Sequence, residues 1–176
     1  MIFSATPLKN AYVIQSEPFR DFRGEFMRTF CANEFSEHGL ETRFVQSNLS
    51  ITLQPGVIRG MHYQVDGAEE DKLVRCIQGS ILDVIVDLRK DSETYGKHFS
   101  VELTGSNAKA LLVPRGFAHG FLTLEGPSYV FYQVSNFYSP GKEKGFRWND
   151  PKFNIPWPNK TPVLSEKDAS YEDFAG

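Results

Sequence analysis

The sequence predicts an all-β protein, an antiparallel double-stranded jelly roll with only short peripheral helices. Three observations carry that expectation. Aromatic residues are abundant, with 15 Phe, 7 Tyr and 2 Trp among 176 residues. Gly (14) and Pro (10) interrupt the chain often, leaving runs too short for a helical bundle. The runs between them alternate apolar and polar side chains with the period of two that a half-buried strand needs.

Taken in order, Tyr12–Ser16 and Glu25–Phe30 are the first strand candidates. Ala32–His38 is the one helical stretch, closed by Gly39 as a left-handed cap. Arg43–Leu49 and Val57–Gln64 return to strand, and Lys72–Ile77 runs through a Gln78-Gly79 turn into Ser80–Asp87, as a hairpin does. Within that last run Leu82, Val84 and Val86 share one face, while Ile81, Asp83, Ile85 and Asp87 share the other. Phe99–Leu103 alternates cleanly, and Ala110–Val113 is a short buried run ended by Pro114. Phe121–Leu124 and Tyr129–Ser135 flank a Glu125-Gly126-Pro127 turn. From about Tyr138 the chain is Pro-rich and irregular, and its SEKDASYEDFAG tail is polar. No repeat or linker divides it, so residues 1–176 are expected to form a single cupin-type barrel. Such a barrel puts its site on inward-facing side chains at the mouth.

Charge and composition exclude several function classes. A net charge of −3 and a pI near 5.8 give no bulk attraction to nucleic acid or an anionic membrane. No stretch approaches the ~18–20 apolar residues of a membrane span. The N-terminus lacks the charged start and apolar run of a secretory signal. Cys31 and Cys76 form neither a disulfide framework nor a metal-type pair, so a reducing cytoplasm is expected.

Of four histidines, His38 and His98 are expected to face solvent, whereas His62 and His119 follow glycine-punctuated apolar segments, RGMHYQ and PRGFAHG. Both are either satisfied barrel histidines or functional ones. A metal-binding cupin would pair His62 with a second His, but Gln64 stands there. That leaves His62, His119 and either Glu69 or Glu70, fewer than four ligands, with a two-His, one-carboxylate iron site as the metal reading that stays open. Acid–base chemistry fits better. A mouth histidine oriented by a carboxylate can serve as general base, and Lys72 at a strand start can meet a developing oxyanion. Tyr132, between Val130 and Val134 on its strand face, points into an apolar environment, as core or as acid. Arg59, inside a strand, reads as an interior guanidinium that needs an anion, and phosphate fits its fork. Arg59 and His62 are three apart, which sends them to opposite faces unless Gly60 permits a bulge.

These residues occur in an order that resembles the dTDP-4-dehydrorhamnose 3,5-epimerase family, metal-independent cupins acting on nucleotide-linked 4-keto-6-deoxy sugars. The likeness runs from about Phe19 to Asp168. It is carried by FRDFRGEF, FVQSNLS, GVIRGMHYQ, KLVRCIQG, DVIVDLRKDSETYG, VPRGFAHGF, NFYSP, WND and LSEKD. The resemblance implies His62 as general base paired with Asp168, Tyr132 as acid across the sugar ring, and Lys72 at the enolate oxygen, with His119 nearby on the sugar. It implies Arg59 and Arg23 on the diphosphate, Tyr138 and Phe26 stacked about the base, and Gln46, Ser47, Asn48, Glu143 and Lys167 as further binding positions. It also implies a homodimer in which the Arg23–Arg28 segment is shared across subunits, and no cofactor or metal. The implied activity is inversion at C3 and C5 of dTDP-4-keto-6-deoxyglucose. Mono-epimerases of dTDP- or CDP-linked sugars use the same His, Lys and Tyr, and a non-catalytic sugar-nucleotide binder is the alternative of another class. Three positions depart from the family's habit: Arg28 for Glu, Ser47 for Asp, and Gln133 for Lys. Arg28 either changes base recognition, toward cytosine, or faces solvent.

Overall fold

A computed structural model describes residues 1–176. Its strands are β1 (Ile2–Ala5), β2 (Tyr12–Gln15), β3 (Phe19–Asp21), β4 (Gly24–Phe26), β5 (Gln46–Thr52), β6 (Ile58–Gln64), β7 (Lys72–Gln78), β8 (Ser80–Asp87), β9 (His98–Thr104), β10 (Lys109–Val113), β11 (Phe117–Thr123), β12 (Ser128–Val134) and β13 (Glu143–Gly145). Two short helices, α1 (Ala32–Glu37) and α2 (Glu166–Ala169), complete it. A six-stranded sheet in the order β1-β2-β10-β7-β12-β5 faces a five-stranded sheet in the order β13-β6-β11-β8-β9, and all of their strand pairs are antiparallel. This is the expected cupin jelly roll.

The alternation in β8 explains the layering. Ile81 and Ile85 join Val74, Leu111, Phe117 and Val130 in the core between the sheets. Val84 and Val86 point the other way, against Phe146, Phe153, Ile155 and Trp157 of the C-terminal segment. With both faces covered, β8 needs apolar residues on both. The irregular segment after Tyr138 is therefore the lid of the smaller sheet. Its indole Trp157 Nε1 donates to Trp148 O at 2.7 Å, so the burial leaves no orphan donor there. A third cluster packs Phe35 of α1 with Ile14, Leu73 and Leu112 against the outer face of the larger sheet. Gly39 at φ +67° closes α1 as expected.

Several boundaries differ from the sequence reading. The strand expected over Glu25–Phe30 stops at Phe26, because the β3–β4 pair is an isolated hairpin with no sheet to extend along. The run expected over Arg43–Leu49 shifts to Gln46–Thr52, where β12 supplies a ladder partner for every residue. β11 begins at Phe117, so His119 lies mid-strand rather than after one. His98 is half-buried rather than solvent-facing, since its strand packs against β8, and its Nδ1 has no partner. β1, β3, β13 and α2 are elements the sequence reading does not contain; each is four residues or fewer.

Candidate active site

The conflict between Arg59 and His62 is resolved by the backbone. In the β6–β11 ladder His62 pairs with His119, but Arg59 pairs with Phe121. Two β6 residues, Gly60 and Met61, therefore oppose the single Gly120, which is a bulge. Only glycine fits there: Gly60 has φ +128°, and a Cβ on it would lie 2.6 Å from Gly120 Cα. The bulge brings Arg59, His62 and His119 to one cavity between the sheets.

That cavity has two adjoining lobes, of ≈ 310 Å³ and ≈ 260 Å³, with His62, Lys72 and Tyr132 lining both. His62 comes from the smaller sheet, Tyr132 and Lys72 from the larger, so the imidazole and the phenol occupy facing walls. His62 Nε2 lies 2.6 Å from Asp168 Oδ1, on α2. Ser165 caps that helix by accepting from Asp168 N at 3.1 Å, which fixes the carboxylate's backbone. Burial pushes the Asp168 carboxyl up, but His62, Ser165 and the Gly60 amide outweigh it and hold it below its ordinary value. A carboxylate on Nε2 selects the tautomer that leaves Nδ1 a free lone pair. Nδ1 lies 3.8 Å from Glu143 Oε1.

Tyr132 packs against the inter-sheet core, and burial, then Glu70 and Glu143, raise its phenol pKa against the opposing pull of Arg59. A phenol so placed stays protonated and can donate. Lys72 Nζ lies 3.2 Å from Glu70 Oε1, both largely buried. His119 Nε2 lies 2.7 Å from Asp83 Oδ1, and Asp83 is fully buried with its second oxygen unpartnered. Gln64, in the place of a metal cupin's second imidazole, donates its amide to Ala68 O, Phe137 O and Glu70 and accepts from Ser139 N. No three His, Cys, Asp or Glu side chains converge so as to hold a metal ion. A base on a carboxylate, a facing phenol and a fixed ammonium in one polar cleft suit proton abstraction beside a carbonyl.

The family model described as dTDP-4-dehydrorhamnose 3,5-epimerase matches residues 5–176. The chain belongs to that family. It is 43% identical over 173 residues to the dTDP-4-dehydrorhamnose 3,5-epimerase of Methanothermobacter thermautotrophicus, covering 97% of this chain and 92% of the relative. It superposes with a TM-score of 0.95, at 39% identity and covering 98% and 99% of the two chains, on the Bacillus anthracis str. Ames enzyme of that name with TDP and PPi bound. A dTDP-4-dehydrorhamnose 3-epimerase of Streptomyces niveus is also similar, 34% identical over 162 residues, with 92% and 78% covered.

The epimerase brings most of the expected residues together. Gln46, Asn48, Tyr138 and Glu143 line the larger lobe; Arg59, His119, Lys167 and Asp168 line the smaller. Lys167 Nζ reaches Glu143 Oε2 at 2.6 Å, and that carboxylate also accepts from Tyr138 Oη at 3.3 Å. Arg59 is exposed at the mouth rather than interior, because Thr52 Oγ1, 3.1 Å from its Nε, holds it outward at the edge strand. Ser47 falls outside the cavity. It pairs with Gln133 on the outer face, since alternate residues of β5 point opposite ways and Gln46 and Asn48 take the inner one. Arg23, Phe26 and Arg28 line no part of the cavity within the chain. Arg23 pairs with Asp21 at 2.6 Å and Arg28 with Glu34 at 2.9 Å. Two residues that sit against the cavity's histidines, Asp83 at His119 and Tyr171 at His62, escape the sequence reading. Asp83 carried a signal, an acid among inward-facing isoleucines that needs a buried partner. Tyr171, whose ring centre is 5.8 Å from that of His62, carried none in the polar tail.

Proposed function

We propose that this chain inverts C3 and C5 of dTDP-4-keto-6-deoxyglucose through enolates, with His62 as base, Tyr132 as acid and Lys72 at the C4 oxygen. The observation that carries the reading is the facing pair: His62 locked on Asp168 at 2.6 Å in one wall, Tyr132 in the other, with Lys72 between the lobes they share. The C4 ketone acidifies the protons on C3 and C5. His62 Nδ1 takes one; the electron pair left on carbon moves into the C–C bond and onto the C4 oxygen, beside the Lys72 ammonium. Tyr132 then delivers a proton to the opposite face, and the electrons return from oxygen to re-form the ketone. Solvent restores both groups, so each inversion leaves one solvent hydrogen at carbon. A positioned base contributes roughly 10²–10⁴-fold and an oxyanion donor roughly 10²–10³-fold. Arg59 and His119 hold the sugar diphosphate, while Tyr138 stacks on the base.

The working unit is a homodimer in the cytoplasm. The β3–β4 hairpin presents Phe19, Phe22 and Phe26 at 68%, 97% and 76% exposure, which suits an arm that seats on another copy. Leu49, Ile51, Leu53 and Ile77 leave an apolar stripe uncovered on the larger sheet. Docked across a dimer, the hairpin carries Arg23 and Phe26 to the neighbour's nucleotide. Both cysteines are unpaired, as a reducing compartment keeps them.

Incubation with dTDP-4-keto-6-deoxyglucose in D₂O tests the reading, with deuterium followed by NMR. Label at both C3 and C5 is expected. Label at one carbon makes the chain a mono-epimerase, the reading favoured by its Streptomyces niveus relative. Binding without label leaves a non-catalytic sugar-nucleotide protein.

A further inference from the structure

The positions that a metal cupin would use as ligands do something else in this chain. Gln64 and Glu70 sit between Lys72 and the segment that carries Tyr138. The side chain of Lys72 is 13% exposed and that of Glu70 7%, so neither is held by bulk water. Lys72 Nζ forms an ion pair with Glu70 Oε1 at 3.2 Å, and Gln64 Nε2 donates to Glu70 Oε2. Gln64 is pinned in turn, because its Oε1 accepts from Ser139 N at 2.9 Å and its Nε2 donates to Ala68 O at 3.0 Å. The ammonium and the Gln64 amide thus meet the two oxygens of one carboxylate, and the amide cannot turn over without losing its bonds to Ser139 and Ala68.

We propose that Glu70 is a positioning residue that fixes the Lys72 ammonium for the oxyanion, through a chain running from Ser139 to Gln64 to Glu70 to Lys72. An ammonium has three donors. The ion pair with Glu70 tethers the group that carries them at one point and restricts the stem's free rotation. The same chain ties Lys72 to Ser139, next to Tyr138, so nucleotide seating and oxyanion placement share a frame. An acid beside a developing anion opposes it electrostatically, so its presence here is explained by placement, which is worth more than the charge it costs. Only a carboxylate serves. An amide at position 70 has one acceptor oxygen and must set its NH₂ against either the ammonium or the Gln64 amide.

This inference rests on the proposed epimerase reading, and the two are tested separately. Wild-type enzyme that puts no deuterium into any 4-keto sugar defeats both. Given wild-type exchange, E70Q is expected to lower kcat about 10- to 100-fold, part of the loss for deleting an oxyanion donor. KM should stay within about threefold, as befits an interaction felt in the transition state. E70D, which keeps two acceptors, should recover part of that loss, as a purely space-filling role would not allow. The charged and titratable groups around Tyr132 are Glu70, Glu143, Arg59, Lys72 and His62. Removing the charge at position 70 should therefore also move the basic limb of kcat to lower pH. Wild-type kcat and an unmoved limb in E70Q overturn the proposal. So does a loss in E70Q that appears wholly in KM, or one that E70D fails to relieve. If E70Q does not fold, E70D alone decides: a kcat below wild type with KM held supports positioning, and wild-type kinetics overturn it.

Discussion

Asp87 and Asp168 are both buried carboxylates, yet they have opposite surroundings. Asp87 ends β8 and accepts from Arg89 N, Nε and Nη2, Ser92 Oγ and Thr94 Oγ1, at 2.6–3.0 Å. Burial pushes its carboxyl up, but those donors outweigh it and bring the pKa down to about 2. Every donor belongs to the turn after β8, and Arg89 and Thr94 tie that turn in addition to the backbone of Lys9. Asp168 has one side-chain donor from another element, His62, and that ring has its second nitrogen on the cavity side. A carboxylate saturated by its own loop holds the loop. One that orients a ring with a free nitrogen in a cleft prepares a base. The distinction lies in where the partner's other end points, and burial alone does not make it.

Breaking the Asp168 side should have the largest effect. His62→Asn is expected to abolish deuterium exchange at every carbon, a loss of roughly 10²–10⁴-fold or more. Nucleotide binding, measured by calorimetry with dTDP, should remain; residual exchange near the wild-type rate would remove His62 as the base. Tyr132→Phe should impair inversion more than deuterium wash-in, because abstraction does not need the acid, and equal loss of both would count against a separate acid. Asp168→Asn comes next. It leaves a partner at Nε2 but no charge to stabilise the imidazolium, so kcat should fall about 10–100-fold, the order of loss when the carboxylate that orients a histidine is removed. A kcat within twofold of wild type would mean that the pair is merely structural.

Much of this was legible in the sequence, and the parts that were not have a common cause. Alternation placed Ile81 and Ile85 opposite Val84 and Val86, and the fold puts them in two different clusters. The bulge at Gly60 was readable because two candidate residues of wrong parity flanked a glycine. By contrast α2 is four residues long, too short for a periodic signal, and its Asp168 is buried by contact with a strand over 100 positions away. The placement of Ser47 outside the cavity was decided by the register of β5 on β12, a long-range pairing. Arg59 needed the edge position of Thr52 to turn it outward. Local pattern shows which face a side chain takes within its strand; only the partner strand says what lies across it.

Breaking the Asp87 side should leave catalysis alone and lower stability. Its folded pKa lies below the unfolded value, so the contribution is present above about pH 4 and is lost as pH falls toward 2. Asp87→Asn should cost about 2 kcal/mol at neutral pH, roughly 4–8 °C in Tm for a chain of this size. The difference from wild type should shrink as the buffer is acidified from pH 5 to pH 3. If Tm at pH 7 is unchanged, or if kcat falls with it, the purely structural reading of this cluster fails.

The smallest effect is expected at Arg28, which lies in neither cluster. Within the chain its Nη1 meets Glu34 Oε1 at 2.9 Å, and Glu34 also takes the N-terminal ammonium at 2.7 Å. An exposed pair of this kind is screened by water and contributes little, so Arg28→Glu should barely change Tm. Its consequence depends on whether the hairpin seats on a second copy. If it does, Arg28 brings a donor where a Glu would bring an acceptor, and a cytosine offers N3 and O2 as acceptors. Arg28→Glu should then shift the ratio of KM for dTDP- and CDP-linked 4-keto sugars toward thymine by several-fold. An unmoved ratio would assign Arg28 to the Glu34 pair alone. The base would then be chosen by Tyr138 and the strand residues around it.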